Sequence, residues 1–103
     1  MAVTKGKIKK VRWDNKNTDM LARAFLSLKN GTEVKNFLRD VMTEPELVEF
    51  GNRLYAARML AEGVHYNAIS EETGLSTRTI ARVQHWRKNG MGGYRTALAR
   101  LGK

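Results

Sequence analysis

The sequence has no cysteine and a single proline in 103 residues. The lack of cysteine excludes a disulfide-stapled secreted scaffold and a zinc finger with thiolate ligands. No apolar run approaches the ~20 residues of a membrane-spanning helix. The basic start of the chain leads into Trp13-Asp14-Asn15 instead of an apolar stretch, so we expect no signal peptide. These absences predict a cytoplasmic protein, and a hydrophobic content of 42% is too high for a chain that is disordered throughout.

Acidic residues are also scarce, because 10 Asp and Glu stand against 19 Lys and Arg, which gives a net charge of +9. The excess is concentrated at the two ends. Residues 1–12 and 67–103 each carry +5, whereas residues 13–42 carry +1 and residues 43–66 carry −2. A solvated basic face would explain any excess of Lys and Arg. Two basic blocks around a near-neutral middle are more typical of a protein that binds a polyanion, and we expect nucleic acid as the partner.

The sequence lacks the residue patterns of an enzyme or a metal site. His65 and His85 have no cysteine near them, and no group of His, Asp and Glu has the spacing of metal ligands. The glycines at positions 90, 92 and 93 are not followed by the Lys-Ser/Thr pair of a phosphate-binding loop. We therefore expect no enzymatic activity, no metal and no cofactor.

The spacing of apolar residues predicts an all-α fold, because no long stretch alternates with the two-residue period of a strand. Residues 1–12 are predicted to form a flexible basic arm, and residues 13–103 a single helical domain. The final short helix is expected near the C-terminus. Its apolar positions are Tyr94, Ala97, Leu98 and Leu101.

Two short helices are predicted to precede a longer one. The first runs from Asn17 to Lys29, and we expect Asn30-Gly31 to end it because glycine readily adopts the left-handed conformation that follows a helix. The second begins after Thr32, with apolar residues along one side.

The third helix has the clearest start in the sequence and is predicted from Glu44 to Glu62. Thr43 can cap it, Glu46 stands at the third helical position as in a capping box, and Pro45 is tolerated in the first turn. Gly63 is expected to end it.

Apolar residues occupy two sides of this third helix. One stripe consists of Leu47, Phe50, Leu54, Ala57 and Ala61, and the second of Val48, Tyr55 and Met59. One small domain seldom needs to bury so much of a helix, so we expect a second copy of the chain to cover part of it in a homodimer. The alternative is a central helix covered on both sides by its own neighbours.

Residues 66–88 have the pattern of a helix-turn-helix. Such a motif needs a small residue where its helices cross, a glycine in the turn, and apolar residues that join the two helices. Ser70 and Gly74 supply the first two. The apolar contacts are Ile69, Leu75, Ile80 and Val83. Ser76 can cap the second helix. The alternative is an ordinary helical hairpin.

The second helix of this motif is expected to enter the major groove of DNA. The candidate DNA-binding residues are Asn67, Ser76, Thr77, Arg78, Thr79, Ala81, Arg82, Arg87 and Lys88, with His85 on the same face. Arg78 is the expected base reader, because its guanidinium matches the O6 and N7 atoms of guanine. Asn67, Arg87 and Lys88 are better placed for phosphates. The last two would also be favourable charges at a helix C-terminus.

Four motifs together carry a resemblance to a known family. They are Leu26-Ser27-Leu28-Lys29, the stretch from Arg53-Leu54 to Ala61-Glu62-Gly63, Glu72-Thr73-Gly74, and the stretch from Ser76 to Val83. With these residues the chain resembles the Trp repressor-like family, most closely its YerC/YecD-type branch. The resemblance implies an all-α intertwined dimer. It also implies paired helix-turn-helix units on a palindromic operator, with half-sites about one turn of DNA apart.

The same resemblance allows the tryptophan pocket of the Trp repressor to be compared residue by residue. That pocket uses two arginines, a glycine after the second, and a serine one turn further on. Arg53 and Arg82 match the arginines, but Val83 stands at the glycine position and Trp86 at the serine position. A valine side chain intrudes where glycine leaves room for an indole ring, so we expect these four residues to be a vestigial ligand pocket. Arg53 has an alternative role in a salt bridge to Glu49.

The sequence therefore predicts a sequence-specific transcriptional regulator, a repressor, that binds a palindromic operator as a dimer without tryptophan as co-repressor. We expect it in the cytoplasm, associated with the nucleoid when it is bound to DNA. Three alternatives remain open: a non-specific nucleic-acid-binding protein, a repressor gated by a different small molecule, and an adaptor whose helical hairpin docks on an acidic partner.

Overall fold

The computed structural model describes residues 12–102, which contain six α-helices and no strand. The helices are α1 (Lys16–Ser27), α2 (Gly31–Val41), α3 (Glu44–Ala61), α4 (Tyr66–Thr73), α5 (Thr77–Asn89) and α6 (Gly93–Leu101). The all-α prediction is confirmed. Within these residues no helix is long and apolar enough to span a membrane. Residues 1–11 of the predicted arm lie outside the described part of the chain.

The junction between α1 and α2 differs from the prediction at Gly31. Asn30 caps α2 by accepting a hydrogen bond from the Glu33 amide at 2.9 Å, and the Glu33 carboxylate in turn accepts from the Lys29 amide at 2.9 Å. Gly31 is therefore the first residue of α2 and has no positive φ. The prediction of a left-handed glycine was wrong because an asparagine side chain starts the next helix more effectively than the glycine ends the previous one. α1 ends at Ser27, two residues earlier than predicted.

The first compact unit contains α1 and α2 and buries no residue completely. The rings of Phe25 and Phe37 meet edge to face with centroids 5.2 Å apart, which joins the two helices. Other apolar side chains of the unit remain uncovered: Met20 is 57% exposed and Leu26 is 87% exposed. The two helices of the unit therefore do not cover all of its apolar side chains.

The second compact unit begins at Thr43 and holds the core. The buried residues are Ala56, Ala57, Leu60, Ile69, Leu75, Ile80 and Val83. They come from α3, α4, α5 and the turn between α4 and α5, so α3 is the helix on which the other two pack. Tyr94 and Leu98 of α6 pack against the same core.

α3 starts at Glu44 as predicted and ends at Ala61, one residue before the predicted Glu62. The Thr43 hydroxyl accepts from the Glu46 amide at 3.2 Å, and the Glu46 carboxylate accepts from the Thr43 amide at 2.9 Å, which is a complete capping box. Gly63 follows the helix with φ of 84°. The two apolar stripes of α3 are only partly covered, because Val48, Phe50 and Tyr55 remain about half exposed. The predicted dimer, which would cover them, stays a prediction.

A glycine-rich corner joins α5 to α6. Gly90 lies directly under Trp86, and a Cβ atom at Gly90 would stand 2.5 Å from the Trp86 carbonyl oxygen and 2.9 Å from the indole ring. The Gly90 amide donates to the same carbonyl at 2.8 Å. Only a residue without a side chain allows the chain to leave α5 at this distance from Trp86.

We expect Gly90→Ala to lower the free energy of unfolding by about 1–3 kcal/mol, the usual cost of forcing an extra methyl group into a packed site. Gly93→Ala is the matched control, because nothing lies within 4 Å of a Cβ atom at Gly93. Urea denaturation of the two variants at equal protein concentration measures the difference. Equal stability of the two variants would contradict the close packing at Gly90.

Candidate nucleic-acid interface

Helices α4 and α5 are joined by a turn that hydrogen bonds hold in one conformation. Gly74 has φ of 79°, a left-handed conformation that favours glycine. The Ser70 hydroxyl donates to the Leu75 carbonyl at 2.6 Å. The Thr73 hydroxyl donates to the Ile69 carbonyl at 2.8 Å and accepts from the Leu75 amide at 3.1 Å. Ile69 and Leu75 are buried, so the two helices are joined through the core as well as through the turn, and the predicted helix-turn-helix stays a prediction.

The first turn of α5 is fixed by Ser76. Its hydroxyl oxygen accepts from the Thr79 amide at 3.1 Å, as predicted for an N-cap, and lies 3.1 Å from the Thr79 hydroxyl. The side chains of Ser76 and Thr79, both candidate DNA-binding residues, therefore hydrogen-bond to each other, and the Ser76 side chain also caps α5. Behind them, Ile80 and Val83 are buried and anchor α5 to the core.

The opposite side of α5 is exposed along its length. Its exposed residues are Thr77, Arg78, Ala81, Arg82, His85, Lys88 and Asn89. Arg78, Arg82, His85 and Asn89 follow one another at spacings of four, three and four residues, so they share one face of the helix. Asn67 is exposed in the first turn of α4. We call these seven residues of α5 the recognition face.

The recognition face is strongly basic and has no carboxylate partner. The sequence contains no Asp or Glu after Glu72. Within residues 12–102 the ion pairs are Arg12–Asp14, Arg23–Asp19 and Arg53–Glu49, and none of them involves a residue of α5. The positive charges of α5 are therefore not neutralised by the described protein, which favours the approach of a polyanion.

Arg87 lies on a different side of α5 from Arg78 and Arg82. It follows the buried Ile80 by seven residues, which places it on the core side, and it is half-buried. Its Nε atom donates to the Gln84 side chain at 2.9 Å, and its carbonyl accepts from Nη1 of Arg95 at 3.2 Å. The contact with Arg95 could not be seen in the sequence, because it joins residues eight positions apart across a glycine corner. Lys88 remains exposed.

The four residues of the expected vestigial pocket differ in their burial and in the groups they contact. Nη2 of Arg53 donates to Glu49 at 2.7 Å, so the salt bridge weighed in the sequence analysis is present, and the guanidinium lies 5.8 Å from the Phe50 ring centroid. Val83 is buried in the core, whereas Arg82 is exposed and Trp86 is 42% exposed over Gly90.

Tyr94 of α6 lies close enough to α3 for the charge of Arg53 to affect its hydroxyl group. Burial raises the pKa of the Tyr94 hydroxyl, and the positive charge of Arg53 opposes part of that rise. Tyr94 lines an open groove together with Trp86, Met91 and Gly93. Because Trp86 belongs to α5, this groove adjoins the helix that carries the recognition face.

Comparison with known proteins identifies the family of this fold. The family model described as Trp repressor protein matches residues 16–102. The chain belongs to the Trp repressor family. It is 42% identical over 86 residues to YerC, an uncharacterized protein of Bacillus subtilis (strain 168), with 84% of this chain and 83% of YerC covered. The predicted resemblance to the YerC/YecD-type branch is confirmed.

Solved structures give the same result for the fold. A TrpR like protein from Eubacterium eligens ATCC 27750 superposes with a TM-score of 0.82 at 38% identity, covering 87% of this chain and 93% of that one. A structure from Staphylococcus aureus superposes with a TM-score of 0.80 at 31% identity, covering 90% and 96% of the two chains. The Trp repressor fold therefore extends over nearly all of the described residues.

Loss of the Ser76 cap should destabilise α5 and with it the whole protein. We expect Ser76→Ala to lower the free energy of unfolding by about 1 kcal/mol, because one amide at the start of α5 loses its acceptor. Ser76→Asn is the control, since asparagine caps as well as serine. Chemical denaturation followed by circular dichroism measures both, and an alanine variant as stable as the asparagine variant would show that the cap contributes nothing.

Proposed function

We propose that this Trp repressor family member is a transcriptional regulator that represses transcription by occupying a palindromic operator as a homodimer. The family is one of DNA-binding regulators and not of enzymes. The observation that carries the proposal is the recognition face of α5: an exposed basic surface that forms no ion pair within residues 12–102, on a helix joined to α4 by the left-handed turn at Gly74.

Base recognition is assigned to the first half of the recognition face. Arg78 lies in the first turn of α5, where the N-terminal residues of a recognition helix reach base edges, and its guanidinium can pair with a guanine. Thr77 can contact a phosphate or a thymine methyl group. Ala81 is small, which lets the helix approach the bases closely, and Arg82 extends the contact by one turn.

Phosphate contacts are assigned to the flanks of the recognition face. Asn67 is exposed at the start of α4, and Lys88 is exposed near the end of α5. Arg87 faces the core side and bonds to Gln84, so we assign it the support of the α5–α6 corner.

The uncovered apolar surfaces support the dimer. α1 and α2 have no fully buried residue, and Leu26 is 87% exposed. On α3, Val48 is 57% exposed. Each Å² of such surface removed from water stabilises an assembly by about 25 cal/mol. A second copy of the chain is the occupant that would cover the matching surfaces symmetrically, and a two-fold dimer presents two recognition helices to a palindrome.

Regulation without tryptophan is supported by the residues of the vestigial pocket. Arg53 is bound to Glu49, and Val83 fills the core at the position where a glycine would leave room for an indole ring. We propose that the DNA-binding state needs no tryptophan. A different small molecule as effector is the second candidate, favoured by the open groove at Trp86, Met91 and Tyr94.

Selection from random DNA duplexes tests the regulator against a non-specific binder. We expect enrichment of a palindrome with two half-sites, because a two-fold dimer repeats each contact. Arg78→Ala should weaken binding to the enriched duplex by about 1–3 kcal/mol, whereas Lys35→Ala, which removes the same charge from exposed α2, should have little effect. Equal losses in the two variants, or no enrichment, would identify a non-specific binder. Enrichment of a lone half-site would contradict the dimer.

Calorimetry with tryptophan tests the proposed independence from co-repressor. We expect no heat of binding at ligand concentrations up to about 1 mM, which corresponds to less than about 4 kcal/mol of binding free energy. The affinity for the enriched duplex should be the same with and without tryptophan. Micromolar binding, or a change in DNA affinity on adding tryptophan, would contradict the proposal.

A further inference from the structure

We propose that Arg95 of α6 is a further DNA-binding residue, which contacts a phosphate of the DNA backbone beside Lys88. This inference rests on the proposed function and extends the interface from the helix-turn-helix to the next helix of the chain. The site residues predicted from the sequence include none on α6, because the helix-turn-helix pattern ends at position 88.

Arg95 is held against the last turn of α5. This helix ends at Asn89, and carbonyl groups in the last turn of a helix lack the amide donors of a following turn. Nη1 of Arg95 donates to one of these carbonyls, that of Arg87, at 3.2 Å. The helix dipole also favours a positive charge at this end of a helix. The backbone of α5 therefore positions the guanidinium of Arg95.

Gly92 makes this arrangement possible at the corner between α5 and α6. It has φ of 84°, a left-handed conformation that favours glycine, and a Cβ atom there would stand 3.5 Å from Nη2 of Arg95. The carbonyl that Arg95 binds belongs to the peptide bond between Arg87 and Lys88. The guanidinium of Arg95 therefore lies next to the backbone of Lys88, a residue already assigned to a phosphate.

The contact with α5 uses only part of the guanidinium. Arginine has five N–H donors in a planar fork, and the Arg87 carbonyl takes one of them. Arg95 is exposed and forms no ion pair within residues 12–102. A phosphate offers several acceptor oxygens, and arginine binds it with parallel, charge-assisted hydrogen bonds. The remaining donors of Arg95 fit this ligand.

The charge of the corner favours the same ligand. Arg87, Lys88 and Arg95 bring three positive charges to the end of one helix, and the sequence contains no Asp or Glu after Glu72. Like charges at this separation repel one another, which destabilises the free protein. A bound phosphate replaces part of that repulsion with attraction.

The length of α5 places the corner at the border of the major groove. Lys88 follows Arg78 by ten residues, which is about 15 Å along the helix axis. The major groove is about 12 Å wide. If Arg78 reaches base edges, the end of α5 therefore lies beside the phosphates that border the groove. Arg95 would contact the backbone there and carry no sequence information of its own.

The salt dependence of DNA affinity tests this role, measured by fluorescence anisotropy. The probe is the duplex enriched in the selection, or a mixed-sequence duplex if none is enriched. Each phosphate contact contributes about 0.9 to the slope of log affinity against log salt, so Arg95→Ala in both chains of the homodimer should lower the slope by about 2. Between about 50 and 200 mM salt, wild type should lose about tenfold more affinity than this variant.

Arg100→Ala is the matched control. Arg100 is also exposed on α6, and its five-residue spacing from Arg95 places it about 140° away around the helix axis. The control removes the same charge from the same helix and should keep the wild-type slope. Equal slopes for the two variants would show that net charge alone matters, or that neither residue contacts DNA, and either result overturns the inference.

Two further variants separate a phosphate contact from a role in holding the corner. Arg95→Lys keeps the charge and should keep the slope, whereas Arg95→Gln keeps an N–H donor without the charge and should lower the slope as alanine does. If Arg95 only satisfies the Arg87 carbonyl, the glutamine variant will keep the wild-type slope, and the inference is wrong. Comparison of these two conservative variants decides the question even if Arg95→Ala fails to fold.

A comparison of two duplexes separates this inference from the proposed function. Arg95→Ala should weaken binding to the enriched duplex and to a mixed-sequence duplex by the same factor, whereas Arg78→Ala should weaken mainly the first. A wild-type slope in Arg95→Ala overturns the inference and leaves the regulator intact. Absence of any DNA binding by wild-type protein overturns both.

Discussion

The burial of Ile80 and Val83 is the contact on which the functional surface depends. These two side chains of α5 are in the core with Ala56, Ala57 and Ile69, so α5 cannot rotate about its axis without exposing them. The orientation of the helix fixes which residues face outward, and those residues carry the positive charge. The turn at Gly74 and the Ser70–Leu75 hydrogen bond add a second restraint by holding α4 and α5 at one angle. The packing of α5 therefore decides which of its residues form the recognition face.

Local signals in the sequence predicted most of the elements correctly. The capping box at Thr43, the Ser76 cap and the glycine turn at position 74 are each determined by side chains within a few residues, so their patterns are visible in a linear sequence. The Arg53–Glu49 pair is likewise set by spacing along one helix. The bounds of α1 and α2 were less accurate, because Asn30 and Gly31 carry competing signals for the end of one helix and the start of the next.

The parts of the site that escaped prediction depend on contacts between elements. Arg87 belongs to the basic block in the sequence, but its place on the core side and its bond to Gln84 depend on how α5 meets α6. Arg95 reaches the Arg87 carbonyl only because a corner with Gly90 brings α6 back toward α5. Nδ2 of Asn89 lies 3.4 Å from Nδ1 of His85, four residues earlier on α5, and no pattern in the sequence singles this contact out. The roles of these residues depend on the direction in which each side chain leaves its helix, which the amino-acid composition does not show.

The division of α5 into a buried side and an exposed side separates the residues that hold the helix in the fold from those proposed to contact DNA. Apart from the cap at Ser76, the residues that hold α5 in place are Ile80, Val83 and their partners in the core, whereas Thr77, Arg78, Ala81 and Arg82 are exposed and form no hydrogen bond through their side chains within residues 12–102. Substitutions at those four positions therefore change the surface offered to DNA at little cost in stability. Under the proposed function, descendants of one such chain acquire different operators by changing a few exposed side chains while they keep the same buried contacts.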